Sequence, residues 1–318
     1  MKRALLIGIN YPGTGHALRG CVNDAKNMER MLRDAFGFSD IKLLLDLDAT
    51  TDAIKVGMKW LTNGASPGDV LVMHYSGHGS QLPSSSEPDG YEEIICPMDL
   101  NWVDKIVTDN DLRLAFNDVP NGVNTTVILD CCHSGGGMNH SDSYSTAVTK
   151  SVDAVPVIGD GSRYLEPPEG LTDDRTHVVE WSTARDINAS SLMLAAAHSD
   201  QTSADANIGA IYQGAHTYAL TTQVLADPSV TYLDLTDRIT AYMMSNGFSQ
   251  RPELDGFGGL YRSQFVQPFG PAVAATVPPT APTVPVVAAP EVKKNSNLML
   301  YIGAAIVVAV MVYAFILH

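Results

Sequence analysis

Cysteine is scarce in this chain: Cys21, Cys96, Cys131 and Cys132 are all that 318 residues contain. Adjacent Cys131 and Cys132 make a poor disulfide framework, and no pair has zinc-ligand spacing. The four are expected to be reduced thiols in a cytosol-like compartment. Basic residues are also few, 20 Lys and Arg against 35 Asp and Glu, for a formal net charge of −15. Phosphates need a basic surface, so nucleic acid is excluded as a partner. An acidic surface serves solubility as often as a site, so the charge alone assigns no substrate. No internal repeat is visible. The opening run Met1-Lys-Arg-Ala-Leu-Leu-Ile-Gly-Ile-Asn10 is too short for a signal peptide and lacks a small-residue cleavage site. It reads as a first buried strand.

Charged residues make up 17% of the chain and hydrophobic ones 45%, which suits a globular core plus something greasier. The greasier part is Leu298–Leu317, an uncharged, predominantly apolar stretch of 20 residues, about the length that spans a bilayer as a helix. Tyr301 and Tyr313 stand near its ends, as interfacial aromatics do. Lys293 and Lys294 flank its N-terminal side, so the positive-inside tendency keeps the large domain cytosolic. The expectation is a single-pass tail anchor at 297–317. Residues 268–296 precede it as a Pro/Ala/Val-rich, semi-rigid spacer, with seven prolines between Pro268 and Pro290.

Strand and helix patterns alternate through the first 140 residues. Strands are expected at Ala4–Ile9, Ile41–Leu45, Val70–Met73 and Val127–Leu129. Between them fall helices over Val22–Ala35 with Gly37 as a stop, over Thr51–Leu61 with Thr51 as cap and Gly64 after it, and near Asp109–Phe116. Residues 138–187 lose the pattern and read as a surface loop or linker. A strand at Ser191–Ala197 and helices around His216–Leu225 and Leu233–Ser245 follow. The alternation predicts an α/β fold with a mainly parallel sheet. One domain is expected over 1–267, divided into 1–140, a linker at 141–189, and 190–267.

Two segments carry chemistry. His74-Tyr-Ser-Gly-His-Gly79 follows the apolar run Val70–Met73, and Asp130-Cys-Cys-His-Ser-Gly135 follows Val127–Leu129. In parallel sheets reactive groups gather beyond the carboxyl ends of the strands. A His and a Cys leaving two such ends suit a thiol nucleophile, because a nearby imidazole takes the thiol proton and later protonates the leaving amine. His78 lies 54 residues before Cys132. The backbone N–H groups of Gly79 and Cys132 are the natural oxyanion donors.

These motifs resemble those of the metacaspases, a branch of the caspase-like cysteine peptidases. The resemblance runs over most of Lys2–Phe265. It also includes Leu5-Leu-Ile-Gly-Ile-Asn-Tyr11, Gly20-Cys-Val-Asn-Asp24, Asp200-Gln-Thr-Ser-Ala-Asp205 and Phe248-Ser-Gln-Arg-Pro252. It implies a caspase-like three-layer αβα sandwich, catalytic residues His78 and Cys132, and a structural role for His133. Cys131 fills a variable position, and His74 is a core or supporting histidine. It implies an acidic first specificity pocket for Arg or Lys at Cys21, Asp24, Ser76 and Asp130, with Asp205 adding charge nearby. A guanidinium suits paired carboxylates. No cofactor is required, and the resemblance implies calcium as an activator. The corresponding residues are Glu92, Glu93, Asp109 and Asn110, with Asp111 beside them; Asn110 departs from the acidic pattern. A solvated acidic loop is the competing reading there. Self-cleavage positions would be Lys150, Arg163, Arg175 or Arg185. The Pro-rich N-terminal prodomain of family layouts is not expected, a monomer is, and the partners are peptides or proteins with Arg or Lys at the cut. The rival reading is a membrane-tethered pseudoprotease or scaffold, against which the intact His78/Cys132 pair argues.

Overall fold

The computed structural model describes residues 1–269 apart from 86, 88–89, 133–160, 173–189, 198–200, 202 and 257. The expected spacer from residue 270 on, the span at 297–317, His133, and the cleavage candidates Lys150, Arg175 and Arg185 lie outside the described residues. No helix among the described residues is long and apolar enough to cross a membrane.

In chain order the elements are β1 (Lys2–Gly8), α1 (Cys21–Phe36), β2 (Asp40–Leu45), α2 (Thr51–Thr62), β3 (Val70–Ser76), β4 (Gly79–Pro83), β5 (Tyr91–Ile95), β6 (Val107–Thr108) and α3 (Asp109–Asn117). Then come β7 (Asn124–Asp130), β8 (Gly161–Ser162), β9 (Ser191–Ala195), β10 (Ala204–Ile208), β11 (Ile211–Gly214), α4 (Ala215–Ala226), α5 (Tyr232–Ser245) and β12 (Glu253–Gly256). The central sheet runs β12-β9-β7-β3-β1-β2. Every pair in it is parallel except β12 with β9. Strands β3 and β7 are buried along their whole length, as strands covered on both faces must be.

Helices α1, α4 and α5 supply the apolar residues of one face of the sheet, and α2 and α3 those of the other, giving three layers around two cores. The reason is visible in α1: Cys21, Ala25, Met28, Met31, Leu32 and Phe36 are buried at helical spacing. Its first turn has no cap of its own; Asn10 Oδ1 accepts the N–H groups of Cys21 and Val22 instead. Gly37 ends it in the left-handed region, φ 68°. In α2 the cap is Thr50, whose side chain accepts from Ala53 N–H, and not Thr51 as the sequence pattern suggested. Thr51 is turned instead to Asp99, which accepts from both its N–H and its hydroxyl.

Two small sheets stand at the edge of the molecule that the parallel strands point to. One runs β4-β5-β6 and the other β11-β10-β8. Neither follows from apolar periodicity. Part of the expected linker is here too: residues 161–165 form β8 and then cross from one small sheet to the other.

Candidate active site

Strands β3 and β7 are neighbours, with Ser76 opposite Asp130 at their last pair. The chain continues from Ser76 through Gly77 to His78, and from Asp130 through Cys131 to Cys132. Both expected catalytic side chains therefore leave adjacent strand ends. Gly79 is required at the next position: a Cβ there would collide with the backbone carbonyl oxygen of Cys132.

The loop after β3 is fixed by two buried tyrosines. Tyr75 Oη donates to the His78 carbonyl at 2.6 Å, and His78 N–H donates to Tyr11 Oη at 3.0 Å. Tyr11 Oη also donates to the Cys96 carbonyl at 2.6 Å, and Cys96 N–H donates to the His78 carbonyl at 3.0 Å. The Tyr11 ring lies on the imidazole, centroids 4.7 Å apart. Tyr11 itself has φ 51°, a conformation a bulky residue adopts only when held there.

Nε2 of His78 is 2.7 Å from the His16 carbonyl oxygen, so Nε2 carries the proton and Nδ1 is the free base. Among the described residues Nδ1 is buried with no hydrogen-bond partner. The His16 carbonyl thus orients the base. Its loop is pinned by Asp205, which accepts from Arg19 N–H at 2.9 Å and Gly20 N–H at 3.0 Å. Burial holds the His78 imidazole below its ordinary 6.5. The Cys132 sulfur accepts the Ser203 N–H at 3.1 Å and lies 3.8 Å from Ser162 Oγ. Burial pushes its thiol up to about 11, against the pull of the Ser203 N–H and the Ser162 hydroxyl. The resting pair is therefore neutral thiol and neutral imidazole.

The remaining space is filled by Arg163, fully buried. Its Nη2 pairs with Asp24 Oδ2 at 2.8 Å and Asp205 Oδ1 at 3.0 Å; its Nη1 pairs with Asp130 Oδ1 at 3.0 Å. Nη1 also donates to Ser76 Oγ at 2.9 Å, and Ser76 donates in turn to Asp24 Oδ2. Cys21 is close enough that the guanidinium acts on its thiol. The four expected pocket residues are thus brought together, with Asp205 as a fifth. Burial pushes the Asp24 carboxyl up to about 7 even beside Arg163. Asp130 stays well below the usual carboxylate range. Burial opposes its charge, but Arg163, His216 and the hydroxyls of Ser203 and Thr217 outweigh it. His74 is fully buried behind this cluster, Nε2 within 3.2 Å of Thr217 Oγ1.

The backbone around Arg163 is held like a strand. Gly161 and Ser162 pair antiparallel with Asp205 and Ala204. Arg163 N–H donates to the Ser203 carbonyl at 3.2 Å, and Gly79 N–H donates to the Arg163 carbonyl at 2.8 Å. An oxyanion donor thus sits on the carbonyl of the residue whose side chain fills the acidic well. The contributions of His16 and Ser162 have no sequence signature: the first acts through its backbone carbonyl and the second is one serine of the short strand β8, whereas Ser203, acting through its N–H, lies inside the Asp200–Asp205 motif.

The expected calcium residues lie apart from this site. Asn110 Nδ2 donates to Glu92 Oε1 at 2.9 Å, and Asp109 is ion-paired with Arg113. Glu93 is the neighbour of Glu92 on β5, half-buried. Asp111 caps α3 with Thr108 and pairs with Lys55. Among the described residues no group of three or more His, Cys, Asp or Glu is placed to hold a metal ion.

Residues 2–141 match the profile of the metacaspase, peptidase C14 domain. Metacaspase-1 of Botryotinia fuckeliana is 34% identical over 281 residues, covering 80% of this chain and 67% of its own. Metacaspase-1A of Aspergillus fumigatus is 34% identical, covering 80% and 68%. Among solved structures, protein GSU0716 of Geobacter sulfurreducens is similar with TM-score 0.60 and 21% identity, over 85% of this chain and 99% of that one. Caspase-1 of Spodoptera frugiperda is similar with TM-score 0.50 and 13% identity, over 81% and 86%. These two carry the fold; the curated relatives carry the family. With its sheet, its paired strand ends and these relatives together, the chain belongs to the metacaspases, and so to the caspase-like cysteine peptidases.

Proposed function

We propose that this metacaspase cleaves peptide bonds after Arg or Lys, and that Arg163 is its own first such residue. The single observation behind this reading is the seating of Arg163: guanidinium among three carboxylates, carbonyl on the Gly79 N–H. In a productive complex, His78 Nδ1 takes the Cys132 proton and the sulfur attacks the seated carbonyl carbon. The Gly79 N–H holds the oxyanion. The carbon–nitrogen bond breaks as the proton passes to the leaving amine, leaving a thioester. Water then attacks it, with His78 again as base, and the acid product leaves with the thiol restored.

The test is hydrolysis of fluorogenic peptides with Arg, Lys or Asp before the reporter, by the full chain and by Cys132→Ala. Cleavage after Arg and Lys, absent in Cys132→Ala, is expected. Cleavage after Asp, or none after Arg in folded protein, would defeat the assignment. The pH profile is a second check. A histidine held below 6.5 keeps its base form as pH falls, and activity is lost only as pH drops through that lowered value. The acidic limb of kcat/KM is expected below pH 6.5.

Calcium stimulation and tail anchoring belong to the same proposal. Calcium at Glu92, Glu93, Asp109 and Asn110 requires Arg113 to leave Asp109, and oxygen ligands alone then remain. Arg113→Ala is expected to lower the calcium concentration for half-activation, several-fold by the loss of one competing cation; activity unchanged across millimolar calcium in both forms would remove calcium from the scheme. Resistance of the full chain to carbonate extraction from membranes checks the anchor at 297–317.

A further inference from the structure

The docked segment continues past the bond after Arg163, and its continuation is also bound. Tyr164 bridges Gly79 in parallel fashion, and Leu165 N–H donates to the Gly79 carbonyl at 3.0 Å. Gly79 thus gives its N–H to one side of the bond and its carbonyl to the other. The Tyr164–Leu165 backbone lies along the free edge of β4, as an added strand does. Alternation along that strand turns one side chain inward and the next outward. Leu165 is the inward one, only 9% exposed, and belongs to the same core cluster as Leu82, Ile94, Cys96 and Cys131. Tyr164 is half-buried, and Glu166 is exposed. On the other side of the bond Ser162 is exposed.

We propose that the β4 edge and the apolar cluster beneath it form a subsite that takes a leucine-sized aliphatic side chain two residues after the cleaved bond. This rests on the reading of Arg163 as a seated substrate residue. The substrate class it defines is an extended segment with Arg or Lys, then one intervening residue, then Leu or a similar aliphatic. The residue before the cation, Ser162, is exposed as a whole, but its hydroxyl lies 3.8 Å from the Cys132 sulfur and accepts the Tyr164 N–H, so no preference is assigned there. Once the chain has cut itself and residues 164–165 have left β4, an apolar hole the size of one leucine side chain is open in the cluster. Filling it regains the contacts that an empty hole forfeits.

The test uses internally quenched peptides containing Gly-Ser-Arg-Tyr-Xaa-Glu, with Leu, Ala, Asp or Lys at Xaa, and the full chain. A Gly-Ser-Arg reporter amide, which has nothing after the bond, runs beside them. Leu is expected to exceed Asp or Lys in kcat/KM by roughly 10- to 100-fold, the effect of burying one such side chain, with Ala between. Equal rates at all four, with the reporter cleaved, would overturn the subsite and leave the cleavage assignment standing. Failure to cleave the reporter and all peptides would overturn both. A readout without turnover is the rate of Cys132 alkylation by iodoacetamide, compared between preparations that intact mass shows to be uncut after Arg163. Leu165→Asp should free the segment and raise that rate at least tenfold, by the cost of burying a carboxylate against apolar neighbours. Leu165→Ala, gentler on folding, should raise it less. Unchanged rates in both would count against the subsite.

Discussion

Relative to wild-type chain that is still uncut after Arg163, replacing Arg163 with alanine is expected to raise the rate at which iodoacetamide alkylates Cys132 at neutral pH by about two orders of magnitude. With the segment seated, burial keeps the thiol near 11, so thiolate is scarce at pH 7. A hydrated cysteine titrates near 8.5, so freeing the site raises the thiolate fraction a few hundredfold. The midpoint of the rate–pH curve should fall from about 11 toward that value. Cys21, Cys96 and Cys131 remain buried and protonated, so the mass of the adduct-bearing peptide identifies the site. The same change removes the proposed self-cleavage position. It also leaves Asp24, Asp130 and Asp205 without their cation, and breaking a buried ionic group from one side costs about 3–5 kcal/mol unless water enters. A lower Tm is therefore expected in the same variant. Arg163→Lys keeps the charge but not the two-nitrogen fork, and should lie between. Wild-type alkylation kinetics in Arg163→Ala would mean that something other than this segment shields Cys132.

Asp130→Asn is expected to lower kcat/KM for an arginyl reporter by two to three orders of magnitude. Asp130 accepts from Ser203 Oγ at 2.7 Å, Thr217 N–H at 2.9 Å and Thr217 Oγ1 at 2.7 Å, and pairs with the guanidinium. Four donors converge on one carboxylate. An amide of the same shape removes the charge and turns an NH2 against at least one of those donors. The loss of a fully buried charge partner is worth about 3–5 kcal/mol, and two to three orders of magnitude in rate is the lower part of that range. Ser203 and Thr217 also hold loop and helix around the site, so thermal melting should show a loss of stability too. Retention of activity within tenfold would remove Asp130 from the specificity pocket.

What the sequence made legible were the features that repeat or are chemically rare. The apolar runs at Val70–Met73 and Val127–Leu129 fall inside β3 and β7, and the helical stripes fall inside α1, α2, α4 and α5. His78, Cys132, Asp24 and Asp130 stand out because titratable groups next to buried strands are few. The small sheets were not legible: β4 and β5 mix Gly, Ser, Gln, Pro and Glu, and are strands because they pair with each other. Nor was the cap of α2, where Thr50 and Thr51 are the same residue type and only geometry separates them. The orienting carbonyl of His16 is a main-chain group that any residue would supply. Arg163 was one of four basic residues in a region without periodicity. Its place is fixed by contacts with residues as distant as Asp24, which no local pattern encodes.

A single residue, Cys131, separates the carboxylate of Asp130 from the sulfur of Cys132, and all three leave the end of a fully buried strand. That strand end is a ruler with two marks: the Asp130 carboxylate, paired with the Arg163 guanidinium, and the Cys132 sulfur. The interval between them is two peptide units of backbone. On the proposed reading, changes around the well would alter which cation is gripped, or how strongly, while the bond that is cut would stay the same. Inserting one residue between Asp130 and Cys132 would move the second mark, and with it the bond, which makes this short interval the part of the molecule least open to change.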